Sequence, residues 1–339
     1  MNLAAINLIN IGLMLLATAI AFVVPFETFL FAYAVLGPLH YLTQISWLHE
    51  RQYFARGKRD WVFLAILTVA ITVLNLVAME RGAGPHWGLL GVDLMVWSLA
   101  WSLLLVVTED KTLRIGGGVV FAVVLFFLHG KGPADSNQML YVVGGVFLPT
   151  LIHVFVFTGA FIVYGAAKNR SLTAWLSFVV FLGCGAAALL PQVGTLGYTA
   201  TDYAKQSYSV LQNMHSTLLQ YTPLLGGAGR QLQYEQFFTD PTSVRLGRFL
   251  GFAYTYHYLN WFSKTSVIRW HKVPRRRLWG VAVVWAISVA LYAWDFALGL
   301  RWLLLLSLAH VVLEFPLDWK TLLAIPRDFA AGKRASPMV

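Results

Sequence analysis

Nine histidines and a single cysteine, Cys184, set the coordination chemistry open to this 339-residue chain. One thiol excludes a disulfide framework, a cysteine-built zinc site and a protein-ligated iron–sulfur cluster, each of which needs several sulfurs. Any bound metal must therefore be held by nitrogen and oxygen. His40, His153, His257 and His310 stand out because each falls inside a separate apolar run. A neutral imidazole in hydrocarbon has no water to bond and must find a partner. One such histidine is ordinarily a hydrogen-bonded packing residue. Four at comparable depth on four helices point to convergence on a metal or haem, with a proton or ion path and unrelated packing as the competing readings.

Neighbouring residues extend this set. Glu314 follows His310 by four positions, so the two stack on one helix face about 6 Å apart along the axis, where a carboxylate can ligate the same metal or orient its ligands. Gln44 follows His40 by four and Asn260 follows His257 by three, adding a second polar group to each helix. The expected metal set is His40, His153, His257, His310 and Glu314, with Tyr256 and Asn260 as candidate catalytic groups beside His257. Pro38 and Pro149 precede His40 and His153 by two and four residues and should distort their helices, opening room between them. The remaining histidines read as interfacial or solvated: His49 and His271 on the cytoplasmic side, His86 and His215 on the outer side. His129, at the outer end of its span, is a further possible ligand.

The elements that carry these residues are membrane spans. Hydrophobic residues make up 58% of the chain and charged residues 12%, against about 25% charged in soluble domains. That composition excludes disorder and an ordinary soluble domain, and despite a formal net charge of +10 it excludes a nucleic-acid-binding module, because the basic residues sit in short clusters between apolar runs. An all-α polytopic bundle is expected, in one integral-membrane domain with about ten spans. These lie near 3–24, 26–48, 61–79, 88–108, 115–130, 139–165, 172–191, 246–268, 278–298 and 302–319. With the N-terminus inside, 18 of the 25 Lys and Arg fall on the cytoplasmic side, which also places both termini there. The expected location is a bacterial inner membrane. A long outer-side segment, 192–245, interrupts the short connections. Within it Tyr208, Leu211, His215, Leu218 and Leu219 recur at about helical spacing, as in an amphipathic helix that lies on the membrane or caps a cavity.

Nitrogen-rich ligation with a carboxylate and no thiolate suits non-haem iron, with zinc, copper or haem as alternatives. Because dioxygen and lipids both concentrate in hydrocarbon, an intramembrane iron site points to oxidation of an apolar small molecule such as a carotenoid, sterol, fatty chain or other isoprenoid. The segments Gly37-Pro38-Leu39-His40, Leu151-Ile152-His153, Tyr254-Thr255-Tyr256-His257 and Ala309-His310-Val311-Val312-Leu313-Glu314 resemble the histidine segments of the Brp/Blh family of membrane β-carotene 15,15′-dioxygenases. The resemblance implies a helical membrane enzyme whose histidine-bound iron cleaves β-carotene to retinal with dioxygen. It covers four short patches. The family's Pro-His-Gly-x-x-Asp is here His40-Tyr41-Leu42-Thr43, and its close His-x-x-x-His pair is absent, since Trp261 stands four residues after His257. Three other readings stay open: a bis-histidine haem cytochrome, a proton-coupled transporter, and a pigment-binding or assembly subunit of a membrane complex.

Overall fold

Runs of apolar residues satisfy their own backbone groups only as helices when no strand partner exists. In the computed structural model every regular element among the described residues (2–57, 59–81, 85–131, 141–191, 198–222, 232–264, 268–269 and 272–330) is helical. The principal helices in chain order are α1 (Leu3–Val23), α2 (Pro25–Phe31), α3 (Gly37–Glu50), α4 (Asp60–Arg81), α5 (Pro85–Val107), α6 (Lys111–Lys131) and α7 (Tyr141–Phe157). They continue with α8 (Thr158–Asn169), α9 (Leu172–Leu189), α10 (Asp202–Tyr208), α11 (Gln212–Tyr221), α12 (Pro241–Ser263), α13 (Arg275–Trp294) and α14 (Phe296–Ala330).

Among the described residues, seven stretches are long and apolar enough to cross a membrane: Leu3–Val23, Asp60–Glu80, Leu90–Val107, Val142–Asn169, Leu172–Leu189, Arg275–Trp294 and Phe296–Phe329. The chain is thus compatible with an integral membrane protein. The other three expected spans are helical but fall outside this set. Residues 25–50 are divided by a π-helical turn, Ala32–Leu36. The helix around 115–130 opens on Lys111 and Arg114, and the one around 246–263 carries Arg245 and Arg248.

The chain divides into two compact units, residues 1–40, 154–300 and 324–339 forming one, and 41–153 with 301–323 the other. In the first, α12 is the hub, packed by α1, α2 and α9, and 18 of its 23 residues are buried. Its start is fixed by Pro241 at the first helical position and by Asp240, whose Oδ1 accepts from the Thr242 and Ser243 amides at 2.9 and 3.0 Å. Close approach to α1 and α2 depends on Gly251: a Cβ there would stand 3.0 Å from the Pro25 carbonyl oxygen and 3.3 Å from the Ala21 and Thr28 side chains. Small residues at such crossings let backbones meet in membrane bundles.

The 198–240 region belongs to this unit. Tyr208, Leu211, His215, Leu218 and Leu219 are all buried, while Gln206, Asn213 and Gln220 are exposed, so the amphipathic pattern is real and its apolar side packs on protein, α10 against α2 and α11 against α12. Glu27 of α2 holds this region down, accepting from Tyr198 Oη at 2.8 Å and from the Thr201 amide and hydroxyl at 2.9 and 3.1 Å. In the second unit α4 packs on α5 and α5 on α6. Arg114 closes this group, pairing with Asp60 at 2.8 Å and donating to the Thr108 carbonyl at 2.8 Å. The Trp319 indole of α14 donates to the Leu99 carbonyl at 2.9 Å.

Both expected proline distortions take the same form. Pro38 follows the π-helical turn Ala32–Leu36, in which the Gly37 amide donates to the Ala32 carbonyl, and Pro149 lies within α7, which is π-helical throughout. A proline cannot supply its amide to the ladder, and a wider turn relieves the clash of its ring with the preceding carbonyls. The Trp285 indole of α13 donates to the Val35 carbonyl at 2.9 Å, satisfying a backbone group in the first of these turns.

Candidate metal centre

Each unit contains a histidine pair. In the first, His40 of α3 and His257 of α12 have ring centroids 4.8 Å apart at an interplanar angle of 70°. Both are buried, at 1% and 8% exposure. His40 also meets the rings of Tyr258 at 5.0 Å and Trp261 at 5.5 Å. His257 Nδ1 is 2.8 Å from Thr158 Oγ1, at the start of α8. When Nδ1–H donates to this hydroxyl, the Nε2 lone pair is the one left for a metal.

In the second unit, His153 of α7 and His310 of α14 have ring centroids 5.0 Å apart at 76°. Tyr41 stacks on His310 at 4.1 Å and 23°. His153 Nε2 lies 3.8 Å from Glu314 Oε2, and the Gln44 side chain hydrogen-bonds the Glu314 carboxylate. Sequence reasoning did not select Asp318 for the site, although it stands one turn beyond Glu314 and is 2% exposed. Its two oxygens have no hydrogen-bond partner among the described residues. The readable signal is the spacing: His310, Glu314 and Asp318 recur every four residues on one face of α14.

Tyr256 and Asn260, the candidate catalytic groups, are on α12 in the first unit. Tyr256 packs in the core with Met14, Phe181 and Phe252, and its hydroxyl is 3.3 Å from Asn10 Oδ1 and 3.5 Å from Asn260 Oδ1. Among the other histidines, His49 is exposed as an interfacial residue would be. His215 is not solvated as expected but fully buried, with Nδ1 2.8 Å from Tyr208 Oη and Nε2 2.7 Å from Ser243 Oγ. Burial pushes its pKa down to about 3, so the ring stays neutral. His271 and the side chains of His86 and His129 lie outside the described residues.

The chemistry of the donor set fits a metal: buried imidazoles with a buried carboxylate and no thiolate suit a borderline to hard divalent ion. No protein-family model, no curated protein and no solved structure matches this chain.

Proposed function

We propose that this protein is a membrane-embedded, metal-dependent oxygenase, in which His40, His153, His257, His310 and Glu314 hold non-haem iron and the substrate is an apolar isoprenoid, carotenoid-like or other lipid chain. The observation that carries this reading is that all four histidines singled out by depth are buried and touch another of the four, pairwise, with Glu314 beside His153. With open positions, such an iron supplies dioxygen activation. The protein's own residues hold the ligands in register: Thr158 fixes the His257 ring, Gln44 and His153 hold the Glu314 carboxylate, and the buried aromatics around His40 exclude water. Cleaving one carbon–carbon double bond into two carbonyls takes up both atoms of dioxygen, so no external reductant is consumed. The ten-span topology, with both termini cytoplasmic and 192–245 outside, is part of this proposal, as is a bacterial inner-membrane location.

The paired rings stand 4.8 and 5.0 Å apart, close enough for two imidazoles to share one ion and too close to admit a macrocycle between them, which favours an ion over haem. Metal analysis and an absorption spectrum of the purified protein test the proposal. Iron without a Soret band is expected, and it should be lost in His153→Ala, His257→Ala and His310→Ala. Full metal occupancy in all three variants overturns it.

A further inference from the structure

A cavity of about 380 Å³ opens in the first unit among α1, α8, α9 and α12. Its walls carry Lys168 and Lys264, with Asn7, Asn10, Tyr256 and Asn260 among apolar side chains, and no carboxylate lines it. Both lysines are half-buried. Neither has an acidic partner among the described residues; Lys168 Nζ donates to the Tyr164 hydroxyl at 3.2 Å and sits 5.3 Å from that ring's centre.

The polar groups at the back of the cavity are arranged for an anion. Tyr256 Oη lies by the amide oxygens of Asn10 and Asn260 at 3.3 and 3.5 Å, and Ser263 Oγ donates to Asn10 Oδ1 at 3.0 Å. The Asn10 and Asn260 amide oxygens are thereby engaged, and the charged donors on the cavity wall are the two lysine ammoniums. The first turns of α1, with Leu3 and Asn7 on the cavity wall, add the positive end of a 21-residue helix. Two cations gathered in a partly buried cavity without a counter-charge are costly unless something anionic completes them.

We propose that this cavity binds a phosphate-bearing anion, with Lys168 and Lys264 as its charge partners, and that the source is an anionic phospholipid headgroup whose chains run along the apolar helix surfaces. The choice of a lipid over free phosphate rests on the topology proposed above, which puts both lysines on one membrane face at headgroup depth. It does not depend on the metal centre.

Native mass spectrometry of the full chain in detergent tests this, titrating phosphatidylglycerol, phosphatidylcholine or inorganic phosphate against the wild type, Lys168→Gln/Lys264→Gln and Lys168→Arg/Lys264→Arg. Phosphatidylglycerol should bind at one site about tenfold more tightly than phosphatidylcholine. The glutamine pair should lose that preference and the arginine pair keep it. Saturable binding of inorganic phosphate that the glutamine pair abolishes, with no lipid preference, would retain the anion site and overturn the lipid source. Equal binding of every probe to the wild type and the glutamine pair overturns the site. Circular dichroism of each variant, with helicity unchanged, identifies a loss of binding as local. Loss of phosphatidylglycerol binding with metal content unchanged separates failure of this site from failure of the oxygenase reading.

Discussion

Thr158 Oγ1 lies 2.8 Å from His257 Nδ1, in the interior of the first unit. This contact holds one nitrogen of the imidazole, and it comes from the start of α8, a helix that carries none of the proposed ligands. Thr158→Val keeps the shape and removes the hydroxyl. Groups that orient a metal-binding histidine typically contribute about 10–100-fold in affinity. The variant should therefore bind metal more weakly by that factor while still inserting in the membrane, as read by metal titration against a competing chelator.

The carboxylates of α14 should separate by position. Glu314 is 3.8 Å from His153 Nε2, whereas Asp318 stands one turn further along. Glu314→Gln is expected to weaken metal binding about 10–100-fold, and Asp318→Asn by less, in equilibrium titrations of the purified proteins.

His215 should give the fold a pH dependence unrelated to the metal. Its pKa is pushed down to about 3 by burial in the folded protein, against about 6.5 unfolded. Below pH 6.5 the unfolded chain takes up a proton that the folded chain does not. Stability contributed by the neutral ring is therefore full above pH 6.5 and declines as pH falls toward 3, by up to about 1.4 kcal/mol per pH unit. Thermal unfolding of wild type and His215→Gln between pH 7 and 5 checks this, the variant showing the smaller slope. At neutral pH the variant should also be less stable by about 1–3 kcal/mol, through disturbed bonds to Tyr208 and Ser243.

Gly251→Ala should destabilise the first unit. Its new methyl would meet the Pro25 carbonyl at 3.0 Å, and a backbone oxygen at a helix start cannot swing aside as a side chain can. A loss of about 1–3 kcal/mol is expected. Gly165→Ala, with nothing within 4 Å of the added carbon, is the control in the same thermal assay and should not lose stability.

Local rules made some of this protein legible from its residues alone. Apolar runs of span length determine helices compatible with a membrane setting, because in hydrocarbon each backbone group must bond within its own segment. Spacing placed Glu314 on the face of His310, and the buried side of 208–219 was visible in the recurrence of Tyr208, Leu211, His215, Leu218 and Leu219. Pro38 and Pro149 marked the two helices that widen into π turns.

Which histidine meets which was decided only by the tertiary structure. His40 and His257 are over two hundred residues apart, and no local pattern records that α3 and α12 bring their rings to 4.8 Å. Hydropathy also says little about α12, whose Arg248, Tyr256 and His257 are buried and meet Phe22, Asn10 and Thr158 on other helices. The same burial turned His215 from an expected surface residue into a neutral link between Tyr208 and Ser243, and left Tyr256 and Asn260 facing Asn10 while the adjacent His257 meets Thr158. Periodicity shows which face of a helix a residue occupies, and only packing between helices decides what that face meets.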